Sequence, residues 1–259
     1  MTKENGGSIV RGIVIVVPVY QNKFNERELL SLRRLQDTMG KYDITYIMPH
    51  ELENDFICKE HRKGIERFSK KFFTGINGYN QLMLSMDFYK RFLPYEFILV
   101  YQTDALIVSG ELNPFLEAQY DYIGAPWLQG MPVYKYRFRG MSILRKIIPW
   151  FNQPEIIYVG NGGVSLRRVR ACIDILRREE QLAKRWKENE DVFFSYMGIK
   201  QAENFRVASI EDALRFSFET EPRICFKRNK YRLPFACHAW ARYDLEFWKT
   251  AFNEMDFMI

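Results

Sequence analysis

Four short segments of the sequence carry side chains that could take part in chemistry. They are Gln102-Thr103-Asp104, Gly160-Asn161-Gly162-Gly163, Asn189-Glu190-Asp191 and His238 among aromatic residues. Asp104 follows an apolar run, and ligands of open α/β sheets bind at the carboxyl ends of the strands. This carboxylate is therefore a candidate ligand for Mg²⁺ or Mn²⁺. A turn that simply ends the strand would explain the same residues without a ligand.

The other three segments each have a chemical and a structural interpretation. The glycine-rich segment lacks the spacing of a dinucleotide-binding motif and the lysine of a P-loop. Its glycines would let the backbone approach a ligand, or would form a tight turn. Asp191 is a candidate general base. In the structural interpretation, Asn189 instead caps a helix, and Glu190 and Asp191 complement the helix dipole. His238 could complete a metal site or could be a core residue.

Strand and helix signals alternate along the first hundred residues, and these elements must position the four segments. The apolar, β-branched run 12–20 is typical of a central parallel strand, with further strands predicted over 43–48 and 95–101. Helices are predicted from Asn25, with Glu28 as its capping partner, to Gly40, and from 75 to about 92. This alternation predicts an α/β fold with a doubly wound, mostly parallel sheet.

The second half of the chain gives weaker signals. They predict a short strand over 121–124, an irregular stretch over 126–153, strands that enter and leave the glycine-rich segment, and helices over 168–180 and 191–197. No repeat and no linker-like composition is present, so a single domain over residues 1–259 is expected.

Composition excludes several classes of protein. With 47% hydrophobic and 27% charged residues, the chain is neither disordered nor fibrous. Four scattered cysteines without a Cys-x-x-Cys pair, and an apolar run of only seven residues at 13–19, favour a reduced, cytoplasmic protein. The net charge of +6 favours an acidic ligand, an anionic membrane or nucleic acid. Nucleic acid is not expected, because acids interrupt the cations and no binding motif appears.

Cations alternate with aromatic and aliphatic residues over 134–151. This composition is typical of an interfacial membrane segment or of a lid over a ligand. We therefore expect 131–153 to be a lid or to contact the inner face of a membrane, with an ordinary packed loop as the alternative.

In their order and spacing the motifs resemble those of nucleotide-sugar glycosyltransferases of the GT-A fold. The chain is especially similar to a family of unknown function placed near them, and the similarity runs from about residue 13 to 240. It rests on Tyr101-Gln-Thr-Asp-Ala105, Tyr122-Ile-Gly-Ala-Pro-Trp127, Gly160-Asn-Gly-Gly-Val-Ser-Leu-Arg167, Asn189-Glu-Asp-Val192 and Cys237-His-Ala-Trp240.

The resemblance implies a role for each segment. Asp104 stands where the fold carries its Asp-x-Asp motif, with Gln102 in place of the first aspartate, and Asp104 and His238 would hold Mn²⁺ or Mg²⁺. Asp191 matches the catalytic base. The implied donor-binding residues are Pro18, Val19, Tyr20, Gly78, Tyr79, Asn80, Gln102, Thr103, Asp104, Gly162 and Gly163. The implied acceptor-binding residues are Glu190 together with Trp127 and Trp240, which could stack on a sugar or be core residues.

The expected activity is therefore transfer of a sugar from a UDP-sugar to a glycan or lipid-linked glycan, with inversion. The nucleotide would bind to about 9–108, and the acceptor and catalytic part would be about 109–259. Two alternatives stay open: a nucleotidyl- or phosphotransferase, and a non-catalytic sugar-binding module. Product analysis separates them, since glycosyl transfer releases a nucleoside diphosphate and nucleotidyl transfer releases pyrophosphate.

Overall fold

A run of apolar, β-branched residues forms the central strand, as predicted. Val14 to Val17 have no exposed surface, because both faces of this strand are covered. The computed structural model of the chain describes residues 11–53, 64–134 and 153–253.

The described residues form strands and helices in the following order. The strands are β1 (Arg11–Pro18), β2 (Asp43–Pro49), β3 (Ile65–Phe68), β4 (Tyr95–Tyr101), β5 (Leu106–Ile107), β6 (Tyr122–Ile123), β7 (Ala125–Val133), β8 (Glu155–Gly160), β9 (Val164–Arg168), β10 (Ser217–Phe218) and β11 (Ala236–Cys237). The helices are α1 (Glu26–Met39), α2 (Gly75–Met83), α3 (Met86–Lys90), α4 (Asn113–Glu117), α5 (Val169–Arg178), α6 (Glu180–Arg185), α7 (Glu190–Lys200), α8 (Ile210–Phe216), α9 (Pro222–Arg228) and α10 (Leu245–Asn253), with a 3-10 turn at Lys70–Phe73.

The central sheet has the strand order β3-β2-β1-β4-β9-β6. The first four of these strands are parallel, whereas β9 runs antiparallel to both β4 and β6. Two smaller sheets, β10-β11-β5 and β7-β8, complete the described part. The predicted α/β class with a mostly parallel sheet is confirmed.

Apolar side chains cover both faces of this sheet. Val14 and Val16 of β1 belong to one buried cluster, whereas Ile13, Ile15 and Val17 belong to another. The alternation follows from the two-residue period of a strand, which points successive side chains to opposite faces.

The start of α1 is tied to the turn that follows β4. Asn25 caps the helix by accepting from the Glu28 N–H at 3.0 Å, and the Glu28 carboxylate accepts from the Asn25 N–H at 2.8 Å, so the predicted capping box is confirmed. The same carboxylate accepts from the Thr103 hydroxyl at 3.0 Å. The helix therefore fixes the turn that carries Asp104.

Two predictions of local structure are wrong. Residues 126–133 are not irregular but form β7, whose pattern is hidden by two prolines and by Gly130 at φ +72°. The helix predicted over 75–92 is divided, because the Ser85 hydroxyl accepts from the Asp87 N–H and starts α3. Most of the stretch 131–153, predicted to be a lid or a membrane contact, lies outside the described residues.

Three cysteines lie in the described part, and all are free and buried. Burial raises the pKa of Cys225 to about 12, and it raises the pKa of Cys172 and Cys237 as well. Within the same residue ranges no helix has the length and apolar character needed to cross a membrane.

Candidate active site

A cavity of about 560 Å³ opens at the carboxyl ends of β1 and β4. Ten of the predicted site residues line it: Tyr20, Tyr79, Asn80, Gln102, Asp104, Gly162, Gly163, Glu190, Asp191 and His238. Residues that are far apart in the sequence thus meet in one place, at the edge of the sheet where open α/β sheets bind ligands.

His238 lies between two carboxylates at the end of β11. Its Nδ1 is 2.9 Å from Glu219 Oε1, and its Nε2 is 3.2 Å from both Asp104 Oδ1 and Gln102 Oε1. Burial disfavours the imidazolium, but Asp104 and Glu219 outweigh this and raise the pKa of His238 to about 9. Burial acts to raise the pKa of Asp104, but the hydrogen bond and charge of His238 outweigh it and lower this pKa.

The glycine-rich segment packs directly on this histidine. A Cβ on Gly163 would lie 2.1 Å from His238 Nε2, and one on Gly162 would lie 2.0 Å from Glu190 Oε1. The Gln102 N–H donates to the Gly163 carbonyl at 2.8 Å, which joins the segment to the turn after β4. Only glycine allows these approaches, so the predicted close backbone contact occurs here with protein side chains.

The donor atoms around His238 Nε2 fit a divalent cation. Asp104 Oδ1 and Gln102 Oε1 are oxygens of the kind that Mg²⁺ and Mn²⁺ bind, and they converge on the imidazole nitrogen. Glu219 accepts at Nδ1, as a carboxylate commonly does behind a metal-binding histidine. No group of three His, Cys, Asp or Glu side chains able to hold a metal ion occurs in the described ranges, and Gln102 Oε1 is the further protein oxygen that this cluster offers.

Asp191 lies in the first turn of α7 and is 8% exposed. Its Oδ2 accepts from the Asn161 N–H at 2.9 Å, and its Oδ1 accepts from the Val192 N–H at 2.8 Å. Burial, together with the charge of Glu190, raises the pKa of Asp191 to about 7. A carboxylate with this pKa is well matched to accept a proton near neutral pH.

A buried ion pair supports this turn of the helix. Glu190 is 2% exposed, and its two oxygens lie 3.0 and 2.9 Å from the guanidinium of Arg167, which has no exposed surface. Arg167 also donates to Ser165 and Tyr89. The pair connects β9 to the start of α7.

Asn161 fixes the glycine-rich segment from within. It adopts φ +73°, a conformation that asparagine tolerates better than most residues. Its side-chain oxygen accepts from the Gly163 N–H at 2.9 Å, while its own N–H donates to Asp191. One residue therefore positions both the glycines and the carboxylate.

Six predicted site residues do not line the cavity. Pro18, Val19, Gly78 and Thr103 are buried behind its wall. Trp240 cannot stack on a sugar, because it is 1% exposed and packs among the aromatic residues of α10. Trp127 instead covers Gly160, where a Cβ would lie 1.9 Å from the indole ring.

Asn189 does not cap α7 with its side chain, contrary to the structural interpretation. Its Oδ1 accepts instead from Asn80 Nδ2 at 3.1 Å, and Asn80 Oδ1 accepts from the Glu190 N–H at 3.2 Å. The side chain of Asn80 therefore accepts from a backbone N–H at the start of α7, as the structural interpretation had expected of Asn189.

The sequence analysis assigned no role to three polar residues that also line the cavity: Glu219, Asn161 and Arg242. Asn161 could have been found, because an asparagine between glycines is typical of a left-handed turn. Glu219 and Arg242 carry no local signal, since only the packing of β10 and β11 brings them to the cavity.

Comparison of the fold with solved structures finds glycosyltransferases at low sequence identity. The galactosyltransferase LgtC, solved with donor and acceptor sugar analogues, is 12% identical with a TM-score of 0.48, covering 87% of this chain and 86% of LgtC. Mouse xyloside xylosyltransferase 1 is 11% identical with a TM-score of 0.47, covering 86% and 96%. Glycosyltransferase GlyE of Streptococcus pneumoniae is 11% identical with a TM-score of 0.44, covering 94% and 63%.

No curated protein matches the sequence. A family model does match, over residues 62–238, which is more than half of the chain and includes the cavity residues from Tyr79 to His238. The chain therefore belongs to the family described as "Protein of unknown function (DUF5672)".

Proposed function

We propose that the chain is a glycosyltransferase, which moves a sugar from a UDP-sugar to a hydroxyl group of a glycan or lipid-linked glycan. One observation carries the proposal. A single cavity at the strand ends holds a buried carboxylate with a pKa near 7 and, apart from it, an Asp-His-Gln cluster suited to a metal-bound diphosphate.

The donor would bind along the ends of β1 and β4. Tyr20 follows β1 and is 57% exposed, so its ring offers a flat surface to a nucleobase. Arg242 is the only lysine or arginine among the described residues of the cavity wall, and it supplies charge complementary to a diphosphate. Asp104, His238 and Gln102 would hold Mn²⁺ or Mg²⁺, which supplies positive charge for the departing diphosphate.

Asp191 would act on the acceptor. As the acceptor oxygen forms its bond to the anomeric carbon, the bond from that carbon to the diphosphate breaks, and the acceptor proton moves to the Asp191 carboxylate. Attack from the face opposite the diphosphate inverts the anomeric carbon. The Asn161 and Val192 N–H groups hold the carboxylate in place throughout.

A thermal-shift panel tests the donor site. Nucleoside diphosphates and nucleotide sugars are compared with and without Mn²⁺ or Mg²⁺; a ligand at about 100 times its Kd should stabilise the protein by roughly 2.7 kcal/mol. Asp104→Ala should abolish the metal-dependent shift. Asp174→Ala is the matched control, because both side chains are 58% exposed and Asp174 is not part of the cavity wall.

The reaction class is tested by its product. Release of a nucleoside diphosphate in the presence of glycan acceptors supports glycosyl transfer, whereas release of pyrophosphate would identify a nucleotidyltransferase. Donor binding without turnover over a broad set of acceptors would contradict the proposal and favour a binding module.

A further inference from the structure

The segment between Glu221 and Asp244 is strongly basic. Between Glu221 and Asp244 the sequence contains six lysines and arginines and no acidic residue, so this segment alone carries a charge equal to the net +6 of the whole chain. They are Arg223, Lys227, Arg228, Lys230, Arg232 and Arg242.

Four of these cations are exposed and unpaired. Lys227, Arg228, Lys230 and Arg232 all lie at the surface, and none has a carboxylate partner in the described part of the chain. Glu111 and Glu211 line the cleft beside them but form no ion pair with them. Many other surface cations are neutralised locally, as Arg177 is by Asp174. No ion pair within the described residues therefore neutralises these four cations.

The backbone presents this charge on a rigid turn. Lys230 and Tyr231 are consecutive left-handed residues, at φ +56° and +58°, a conformation that costs both residues energy. Asn229 holds the turn by donating its amide to the Arg232 carbonyl at 2.7 Å, and the Tyr231 N–H donates to the Phe226 carbonyl at 2.9 Å.

Apolar side chains stand exposed among the cations. Tyr231 is 68% exposed at the tip of the turn, and its ring packs at a right angle to that of Phe226. Ile224 is 43% exposed on α9. Cations that surround an exposed tyrosine and an aliphatic residue are typical of surfaces that bind anionic bilayers, where the ring enters the headgroup region.

We infer that this basic turn, residues 224–232, binds the surface of an anionic lipid bilayer. An exposed turn with an apolar tip suits a bilayer better than a nucleic acid, because Glu111 and Glu211 line the cleft beside the turn and would repel the phosphates of a strand bound there. The inference uses no side chain of the cavity and does not depend on the proposed function. Arg223 pairs with Asp244 through two contacts of 2.5 and 3.0 Å, which fixes α9 to the segment that carries Arg242 and Tyr243 at the cavity wall.

Sedimentation with vesicles tests the inference. The full chain is mixed at low salt with phosphatidylcholine vesicles that contain or lack phosphatidylglycerol. We expect it to sediment only with the anionic vesicles, and to be released as added salt screens the charges. Each cation removed should weaken binding about fivefold. The variant Lys227→Gln, Arg228→Gln, Lys230→Gln, Arg232→Gln should therefore bind about 600-fold more weakly.

A control variant with the same net charge separates the turn from the charge of the whole protein. It carries Arg33→Gln, Arg170→Gln, Arg178→Gln and Arg185→Gln, four exposed cations on α1, α5 and α6 that are also unpaired within the described ranges. Both variants have a net charge of +2 in place of +6. The control should sediment nearly as wild type does.

Several results would overturn the inference: no sedimentation of wild type at low salt, equal losses in the two variants, or undiminished binding of the turn variant. If the turn variant loses binding to a single-stranded oligonucleotide but binds vesicles as wild type does, the partner of the turn is a nucleic acid instead. Tyr231→Ser keeps every charge and should weaken vesicle binding severalfold; no change would overturn the insertion of this ring.

Discussion

Asp191 is the residue whose removal should affect turnover most directly. Asp191→Asn keeps the size of the side chain and one backbone contact but cannot accept a proton, so kcat should fall by about 10²- to 10⁴-fold. Donor binding should be largely kept.

The kcat/KM of wild type should rise with pH through about 7, where the carboxylate ionises. Initial rates of nucleoside diphosphate release measure both the fall in kcat and the pH dependence, with Asp174→Asn as the control. Near wild-type turnover in Asp191→Asn would contradict the role of Asp191 as general base.

The same carboxylate has a predictable effect on stability. Its pKa in the folded chain, about 7, is above the ordinary value of 3.8, so the folded state binds the proton more tightly. The resulting stabilisation is complete below pH 3.8 and is lost as pH rises through 7. Relative to wild type, Asp191→Asn should therefore gain stability between about pH 4 and pH 8. Urea unfolding of both proteins at several pH values measures this; a constant difference would contradict it.

Gly163 lies against His238 too closely to leave room for a side chain. Gly163→Ala would place a methyl group 2.1 Å from Nε2 and must displace the imidazole from Asp104. Metal-dependent stabilisation by nucleotides should then disappear. Gly12→Ala is the control, since nothing lies within 4 Å of its added methyl group. If Gly163→Ala binds metal and nucleotide as wild type does, the imidazole is not needed at this position.

At the scale of elements, the buried pair Arg167–Glu190 holds β9 and α7 together. Arg167→Met would leave Glu190 buried without its partner and should lower the free energy of unfolding by about 3–5 kcal/mol. Adding Glu190→Gln should restore part of this loss, because the unpaired charge is removed. Denaturant unfolding of the two single variants and the double variant measures the coupling. Additive losses would mean that the pair contributes nothing specific.

Elements with strong local signals were predictable. The continuous apolar run of β1 and the capping box of α1 each carry their own physical cause, and both are confirmed. β3 was missed, because Ile65 to Phe68 is too short to show a two-residue alternation. β7 was missed because prolines and a left-handed glycine interrupt its pattern, while pairing with β8 still stabilises it.

At the scale of the whole molecule, the site was predictable only in part. Asp104 could be singled out by residue type and by its place after a strand, whereas the roles expected for Asp191 and His238 depended on the resemblance to a known family; all three line one cavity. Glu219 could not, because its role depends on β10 pairing with β11 next to His238. The acceptor-binding role expected for Trp240 was wrong, because tertiary packing buries this tryptophan and the sequence alone does not show that burial.

The three buried cysteines can report separately on local opening of three elements of the fold. Cys172 lies in α5, Cys225 in α9 and Cys237 in β11, and each thiol is both covered and held in its unreactive protonated form. Alkylation at each site can therefore proceed only as fast as its own element opens, and mass spectrometry of the digested protein reads the three rates in one experiment. Cys237 directly precedes His238, so a ligand in the cavity that suppresses local opening of β11 should lower the alkylation rate of Cys237.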